Sequence, residues 1–302
     1  MKNKWAVFIV GPTGVGKTDL SIDVAESLHT EIISADSRQV YRELSIGTAI
    51  PPEDQLKRIK HHLIQHRSVT EYYNASMFEE EALQCMHKLL VKYPAVVVTG
   101  GSGLYLKAIC EGIDDIPSVD PQIRKELFER MEREGIGSLR FELRKLDPDS
   151  YKNIDLRNPN RVLKALEVTL GSGMPYSSFL TREKKTREFD PLKIGLNMER
   201  EVLYDRVNRR VEEMMEMGLL NEVKECLPYR EMNALKTVGY RELFEYLDGK
   251  CSLPEAVERI KRNSRRYVRR QLTWFHADPD IRWFRPDQKE EIIKHIKNAT
   301  GQ

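Results

Sequence analysis

The chain is 302 residues long, with 49 Lys and Arg against 47 Asp and Glu, a net charge of +2, 40% apolar residues and 32% charged ones. At ~100–200 residues per domain, that length fits about two domains or one domain with an insertion, and the apolar fraction suffices for a packed core. No run approaches the ~20 apolar residues of a membrane span, which rules out an integral membrane protein. An apolar leader with a small-residue cleavage site is missing, and Cys85, Cys110, Cys226 and Cys251 stand far apart with no CxxC pair. A cytoplasmic protein with reduced thiols is therefore expected, not a secreted disulfide scaffold.

Residues 5–10 (WAVFIV) read as a buried strand that stops at Gly11-Pro12. Residues 17–28 carry Leu20, Val24 and Leu28 at helical spacing, and 31–35 form a short strand ending at Asp36. A helix is expected over 75–91, with Phe78, Ala82 and Leu89 inward. The continuous apolar run 95–99 (AVVVT) fits a strand covered on both faces. Gly100-Gly101-Ser102-Gly103 punctuates before the next helix. Strands alternating with helices predict an α/β fold on a parallel sheet. After Asp114 only helical periodicity is found up to about Leu170, opened by Asp120 as N-cap and Pro121 at the first helical position. Residues 171–190, rich in Gly, Ser, Thr and Lys, read as a mobile connection. A strand is expected over 191–197, a helix over 200–217, and a last strand over 281–284. Between the last two, the capping box of Ser252 and Glu255 opens a long helix to about Phe275. The expected organisation is a core formed by 1–115 and 190–302 with an all-helical insertion at 116–189.

Gly11-Pro12-Thr13-Gly14-Val15-Gly16-Lys17-Thr18 matches G-x-x-x-x-G-K-[ST] between a predicted strand and a predicted helix, the context that gives this motif its meaning. Its glycines let backbone N–H groups converge on phosphate oxygens, and the helix N-terminus adds its dipole. Lys17 supplies a full charge, and the Thr18 hydroxyl is placed to ligate Mg²⁺. The motif specifies a polyphosphate, nucleotide or otherwise, and no particular reaction. No NKxD sequence follows, and the run 95–98 ends in Thr99-Gly100-Gly101 where a motor ATPase would carry Asp. The carboxylate comes early instead, at Asp36. Ligands of open parallel sheets bind outside the carboxyl ends of the strands, so Asp36 is expected at the same crevice, unless it merely caps a turn.

Residues 257–271 (VERIKRNSRRYVRRQ) set Arg259, Lys261, Arg262, Arg265, Arg266, Arg269 and Arg270 against Glu258 alone. This local charge of +6 leaves −4 for the rest of the chain. One concentrated basic helix on a mildly acidic protein points to a polyanion partner. Arg259, Arg262, Arg266 and Arg269 fall near one helical stripe able to follow a phosphate backbone, though a solvated face reads the same way. Tyr267, Trp274 and Phe275 are candidates for base stacking or for core.

The blocks GPTGVGKT, ISADSRQVY, IGTA (46–49), HHLI (61–64), VVTGGSGLYLKA (97–108), RNPNRVLKALEV (157–168), KTVGYREL (236–243) and RRQLTWF (269–275) together resemble the bacterial tRNA dimethylallyltransferases, in order and over nearly the whole chain. The resemblance implies transfer of a dimethylallyl group from dimethylallyl diphosphate to N6 of the tRNA adenosine just 3′ of the anticodon, with Mg²⁺ at Thr18. It makes Asp36 the general base and puts Thr13 near the reacting centre. Gly11, Pro12, Thr13, Gly14, Val15, Gly16, Lys17 and Thr18 would cradle the diphosphate, and Arg210 would reach it. Arg206 and Arg209 are neighbours among which sequence alone does not choose. For the tRNA anticodon stem-loop the resemblance implies Asp36, Ser37, Arg38 and Gln39; Ser102; Arg124; Asn160, Arg161, Val162, Leu163 and Lys164; Lys236, Thr237, Val238, Gly239, Tyr240 and Arg241; and Arg269, Arg270, Gln271, Leu272, Thr273, Trp274, Phe275 and His276. A monomer is expected. Ile50, Gln65 and Ser102 depart from the family pattern. The two-Cys two-His finger of some eukaryotic relatives is missing, which favours the bacterial type.

The chemistry of the residues agrees. An exocyclic adenine amine is a poor nucleophile unless a base takes its proton and the departing diphosphate is neutralised. The adenosine must also leave its stack to reach a recessed carboxylate. Rival readings are a nucleotide kinase with Asp36 as base for a hydroxyl, an adenylate isopentenyltransferase, and a non-catalytic RNA-binding regulator that senses nucleotide through the loop. The basic helix and the insertion count against the first two, and intact Lys17, Thr18 and Asp36 against the third. His61, His62 and His66 read as core or hydrogen-bonded histidines, since no fourth ligand accompanies them for a metal.

Overall fold

The computed structural model describes residues 4–302 apart from position 182. Contacts within the chain divide it into two units, residues 1–110 with 186–302, and residues 111–185. The first unit holds a six-stranded parallel sheet in the order β3-β2-β4-β1-β5-β6. The strands are β1 (Trp5–Val10), β2 (Ile32–Ser34), β3 (His61–His62), β4 (Ala95–Gly100), β5 (Asp190–Leu196) and β6 (Arg282–Phe284). Its helices are α1 (Lys17–Ser27), α2 (Glu53–Arg58), α3 (Ala75–Lys92) and α4 (Gly103–Glu111, whose last residue the second unit claims). The second unit contributes α5 (Pro121–Glu134), α6 (Ile136–Leu146), α7 (Pro148–Asn153) and α8 (Pro159–Ser172). The chain then returns through α9 (Arg200–Glu216), α10 (Leu219–Glu225), α11 (Tyr240–Leu247), α12 (Leu253–His276) and α13 (Lys289–Thr300).

Alternation along the strands builds two apolar layers. Ala6, Phe8, Val10, Ile33, Val96 and Val98 face one way, onto Phe78, Leu106, Leu219 and Leu243. Val7, Ile9, Ile32, Val97, Ile194 and Leu196 face the other, onto Leu20, Val24, Leu203 and Ile292. Because β1 lies between β4 and β5, the loop after β1 is flanked by those that follow its neighbours. The unexpected β3 is only two residues long and leaves no period to read. In α13, Ile292 and Ile296 extend the second layer.

The second unit has its own core of Leu127, Leu139, Leu143, Val162, Leu163 and Leu166. It spans 111–185, where 116–189 was expected. The later end is corrected because Arg187 and Phe189 belong to the sheet unit. Arg187 ion-pairs with Glu79 at 2.7 Å and donates to the Ala108 carbonyl. Phe189 lies 6.4 Å from Phe8, centroid to centroid. The expected mobile connection is also pinned: fully buried Asp147 accepts from the Ser177 N–H at 2.8 Å and the Ser177 hydroxyl at 2.6 Å.

One carboxylate organises a loop beside the sheet. Glu222 accepts from the backbone N–H groups of Ser45, Ile46 and Gly47 at 2.7–2.9 Å and from the Tyr240 hydroxyl at 2.5 Å. A β-carbon on Gly47 would lie 2.6 Å from the Tyr240 ring. The IGTA and KTVGYREL blocks are thus two halves of one packing unit. Glu222→Ala strands three backbone donors and the Tyr240 hydroxyl and is expected to lower unfolding free energy by about 2–4 kcal/mol, against about 1 kcal/mol for Tyr240→Phe. Urea denaturation of both variants checks the ranking.

Candidate active site

The loop after β1 turns through three glycines with positive φ: Gly11 at 145°, Gly14 at 80° and Gly16 at 100°. A side chain at Gly11 would also run into the Leu196 carbonyl at 2.6 Å. Val15 is fully buried and anchors the loop in the core. Lys17 opens α1, and its Nζ donates to the Pro12 carbonyl at 2.7 Å. Thr18 follows it, half-buried.

Three charges meet here. Burial holds the Lys17 ammonium down to about 7; Asp36 opposes that shift and Arg210 reinforces it. Burial also lowers Arg210, with Asp36, Glu213 and Asp19 opposing. Of the three arginines on α9 that sequence left open, Arg210 is the half-buried one, while Arg206 and Arg209 are exposed. Asp36, at the end of β2, uses one oxygen as a turn cap: Oδ1 accepts from the Arg38 N–H at 2.9 Å and from the Gln39 N–H at 3.4 Å. Its Oδ2 lies toward Gly101, 3.9 Å from where a β-carbon on that glycine would stand. The capping reading thus accounts for Oδ1, and Oδ2 takes no part in it. Burial pushes the Tyr267 phenol up, and Asp36 adds to it.

The Gly100-Gly101-Ser102-Gly103 turn packs against this group. A β-carbon on Gly100 would strike the Ala35 carbonyl at 2.2 Å, and one on Gly103 the Trp274 indole at 2.2 Å. The Ser102 hydroxyl accepts from the Ser37 N–H at 2.8 Å and ties the turn to the end of β2. Gln39 donates to the Thr48 and Ala49 carbonyls, and Arg38 to the Asn233 carbonyl at 3.1 Å. Gln271 of α12 accepts from the Thr13 N–H and donates to the Gly101 carbonyl, both at 2.9 Å. Sequence reading missed this bridge and the Glu222 nest. Their partners lie 258 and up to 177 residues away, and no local spacing carries that signal.

Arg266, Arg269, Arg270, Thr273 and Trp274 of α12, with Ala277 just beyond it, line an open cleft of about 720 Å³. Trp274 is 45% exposed, whereas Phe275 is core. Arg259, the first of the expected stripe, instead pairs with Glu245 at 2.9 Å. Five residues expected at the tRNA are corrected as side-chain contacts, since Val162, Leu163, Tyr240, Gln271 and Phe275 are all buried. Leu272 and Val238 are half-buried and packed against the core. Gly239, backbone only, gives its N–H to Glu242 at 2.8 Å. Asn160, Arg161, Lys236, Arg241, Arg269, Arg270, Thr273, Trp274 and His276 are exposed, with Lys164 and Thr237 half-buried. Arg124 is 45% exposed and pairs with Glu167 at 2.5 Å. Each histidine has one local partner, His61 the Ile59 carbonyl, His62 Glu31 and His66 Glu81, while His61 Nε2 and His66 Nδ1 are buried without one. Gln65 donates to the Ser45 hydroxyl at 2.9 Å.

A recessed ammonium at about 7 calls for an anion, which would raise its pKa again. At pH 8, binding of inorganic pyrophosphate is expected to draw about one proton more into the wild-type chain than into Lys17→Arg, whose guanidinium stays charged. Calorimetry in buffers of different ionisation heat measures the difference.

The sequence model of the family described as IPP transferase matches residues 39–278. A tRNA dimethylallyltransferase 1 of Bacteroides thetaiotaomicron is 54% identical over 291 residues, 96% of this chain and 94% of that protein. A tRNA dimethylallyltransferase of Christiangramia forsetii is 48% identical over 291 residues, 96% of each. Among solved structures, the tRNA isopentenylpyrophosphate transferase of Bacillus halodurans aligns with a TM-score of 0.72 at 36% identity, covering 99% of this chain and 97% of that one. A eukaryotic dimethylallyltransferase acting on tRNA aligns with a TM-score of 0.81 at 26% identity, covering 99% of this chain and 80% of that one.

Proposed function

The chain belongs to the IPP transferase family, and on that premise we propose that it transfers a dimethylallyl group from dimethylallyl diphosphate to N6 of adenosine 37 of tRNA, releasing diphosphate. The bond from N6 to the allylic carbon forms as the carbon–oxygen bond to diphosphate breaks, and the N6 proton passes to Asp36. The observation that carries this reading is Asp36, the one carboxylate that acts on both Lys17 and Arg210, beside the glycine-rich loop. The cations and the loop N–H groups would neutralise the leaving diphosphate, and the carboxylate would accept the proton. Among the described residues no cluster of three or more His, Cys, Asp or Glu side chains is placed to hold a metal. A hard cation such as Mg²⁺ would therefore be held by the Thr18 hydroxyl together with oxygens of the substrate itself. Bound there, it would screen charge on the diphosphate. No helix among the described residues is long and apolar enough to cross a membrane, and we read the chain as a monomer working in the cytoplasm.

Asp36→Ala is expected to slow single-turnover transfer by ~10²–10⁴ while tRNA affinity holds. Labelled dimethylallyl diphosphate offered with unmodified tRNA or with AMP identifies the acceptor. Label on AMP, or consumption of ATP instead of the prenyl donor, replaces this reading with one of its rivals.

The exposed half of α12 supports a polynucleotide partner. Phosphate contacts contribute about −0.7 to −0.9 each to the slope of log K against log salt. Arg266→Gln with Arg269→Gln is expected to flatten that slope by roughly 1.4–1.8. Arg259→Gln, already paired with Glu245, should change it less. Filter binding at several salt concentrations compares them.

A further inference from the structure

We propose that Gln271 is a positioning residue for the prenyl-donor site, acting through the phosphate loop, and not a contact to tRNA; this rests on the function proposed above. Gln271 is 5% exposed and sits on the face of α12 turned away from the arginine cleft. Its carboxamide joins two loops that are not otherwise joined to each other by the bonds described above. Oε1 takes the Thr13 N–H, and Nε2 reaches the Gly101 carbonyl. Only one orientation of the amide satisfies both, since the first partner needs an acceptor and the second a donor. The approach is so close that a β-carbon on Gly101 would lie 2.4 Å from Nε2. One helical turn on, Trp274 seats against Gly103 of the same turn. The helix therefore presses two side chains into the Gly100–Gly103 turn while its arginines face outward. Thr13 lies at the head of the glycine-rich loop, and Asp36 Oδ2 stands 3.9 Å from the same β-carbon position on Gly101 that Gln271 Nε2 crowds. Gln271 thus sets the distance between the loop that receives diphosphate and the turn that backs the carboxylate. Geometry at that scale matters for transfer, because a misplacement of about 1 Å costs on the order of 10² in rate.

The test uses the full chain and three substitutions. Gln271→Leu keeps the bulk and removes both bonds. It is expected to lower kcat/KM for dimethylallyl diphosphate about 10²-fold and to weaken inorganic pyrophosphate binding, measured without tRNA, by roughly three- to tenfold, with KM for tRNA and its salt slope unchanged. Gln271→Glu keeps the acceptor but sets a carboxylate against the Gly101 carbonyl; protonation restores a donor. Its activity relative to wild type should climb at least about fivefold from pH 8 to pH 6, since burial raises a carboxyl pKa. The same ratio for Gln271→Leu should stay flat. Gly101→Ala crowds Nε2 and should lose activity alone yet add no further loss in the Gln271→Leu background, because both break one contact. A kcat/KM within twofold of wild type for Gln271→Leu, a defect confined to KM for tRNA, a flat ratio for Gln271→Glu, or additive losses with Gly101→Ala would each overturn the proposal. The pyrophosphate arm stands even if wild type transfers nothing to tRNA, so failure of the functional reading and failure of this one are told apart. Should Gln271→Leu melt before assay, the Gly101→Ala variant, with the bridge crowded and the helix intact, carries the same kinetic comparison.

Discussion

Two half-buried cations, Lys17 and Arg210, stand beside Asp36 at the carboxyl edge of the sheet, with Glu213 and Asp19 also acting on Arg210, and this crowding of partly desolvated charge is the constraint around which the rest is arranged. A desolvated ammonium is costly; burial moves Lys17 down from its ordinary value to about 7. Meanwhile its Nζ leans on the Pro12 carbonyl at 2.7 Å, a weak substitute for an anion. Asp36 offsets only part of the charge, since it faces both Lys17 and Arg210. In the proposed reaction the diphosphate would face these cations. Its arrival would restore the Lys17 proton, tighten the field, and leave Asp36 with an oxygen that is not spent on its turn.

Holding those charges together requires backbone to approach backbone more closely than any side chain permits. Gly11 abuts Leu196, Gly100 abuts Ala35, and Gly101 and Gly103 receive Gln271 and Trp274. The strand order makes this possible, since β1 runs between β4 and β5 and delivers its loop between theirs. Each glycine is therefore tied to a named neighbour, and the GGSG block is a set of docking points for β2 and α12 more than a flexible turn. The Ser102 hydroxyl at Ser37 shows the same function in a polar form.

What could be read from the sequence follows from range. The phosphate loop was legible because eight consecutive residues between a strand and a helix contain all of it. Asp36 was legible because it ends a strand, although which of its oxygens caps the turn was not. Five of the six strands and the presence of a helical insertion followed from the apolar pattern, whereas β3 and the insertion's far end did not. Gln271 and Glu222 were opaque, for their meaning lies in backbone N–H groups far along the chain. Residues within blocks taken for tRNA contacts show a different limit. Val162, Leu163 and Leu166 sit at helical core spacing and pack in the helical unit, while Asn160 and Arg161 beside them are exposed. A block match carries packing and contact residues alike, and only burial separates them.

The basic helix shows why charge counted along a sequence overstates charge presented to a partner. In the first half of α12, Arg259 is answered by Glu245 and Lys261 by Glu212 and Glu258, whereas Arg262 is exposed; just past the midpoint Arg265 rests on the Asn208 amide at 2.6 Å. In the second half the partners are neutral or solvent: Arg266 leans on the Asn263 amide, Arg270 on the Tyr267 ring, and Arg269 is exposed. Twenty-four helical residues span about 36 Å, enough for the two halves to do different work. The paired half fixes the helix against α9 and α11. That fixation gives the other half its two faces, arginines and Trp274 on an open cleft and Gln271 on the phosphate loop. Under the proposed function, one long helix would meet the polynucleotide on its cleft side while Gln271 holds the loop after β1 on the other.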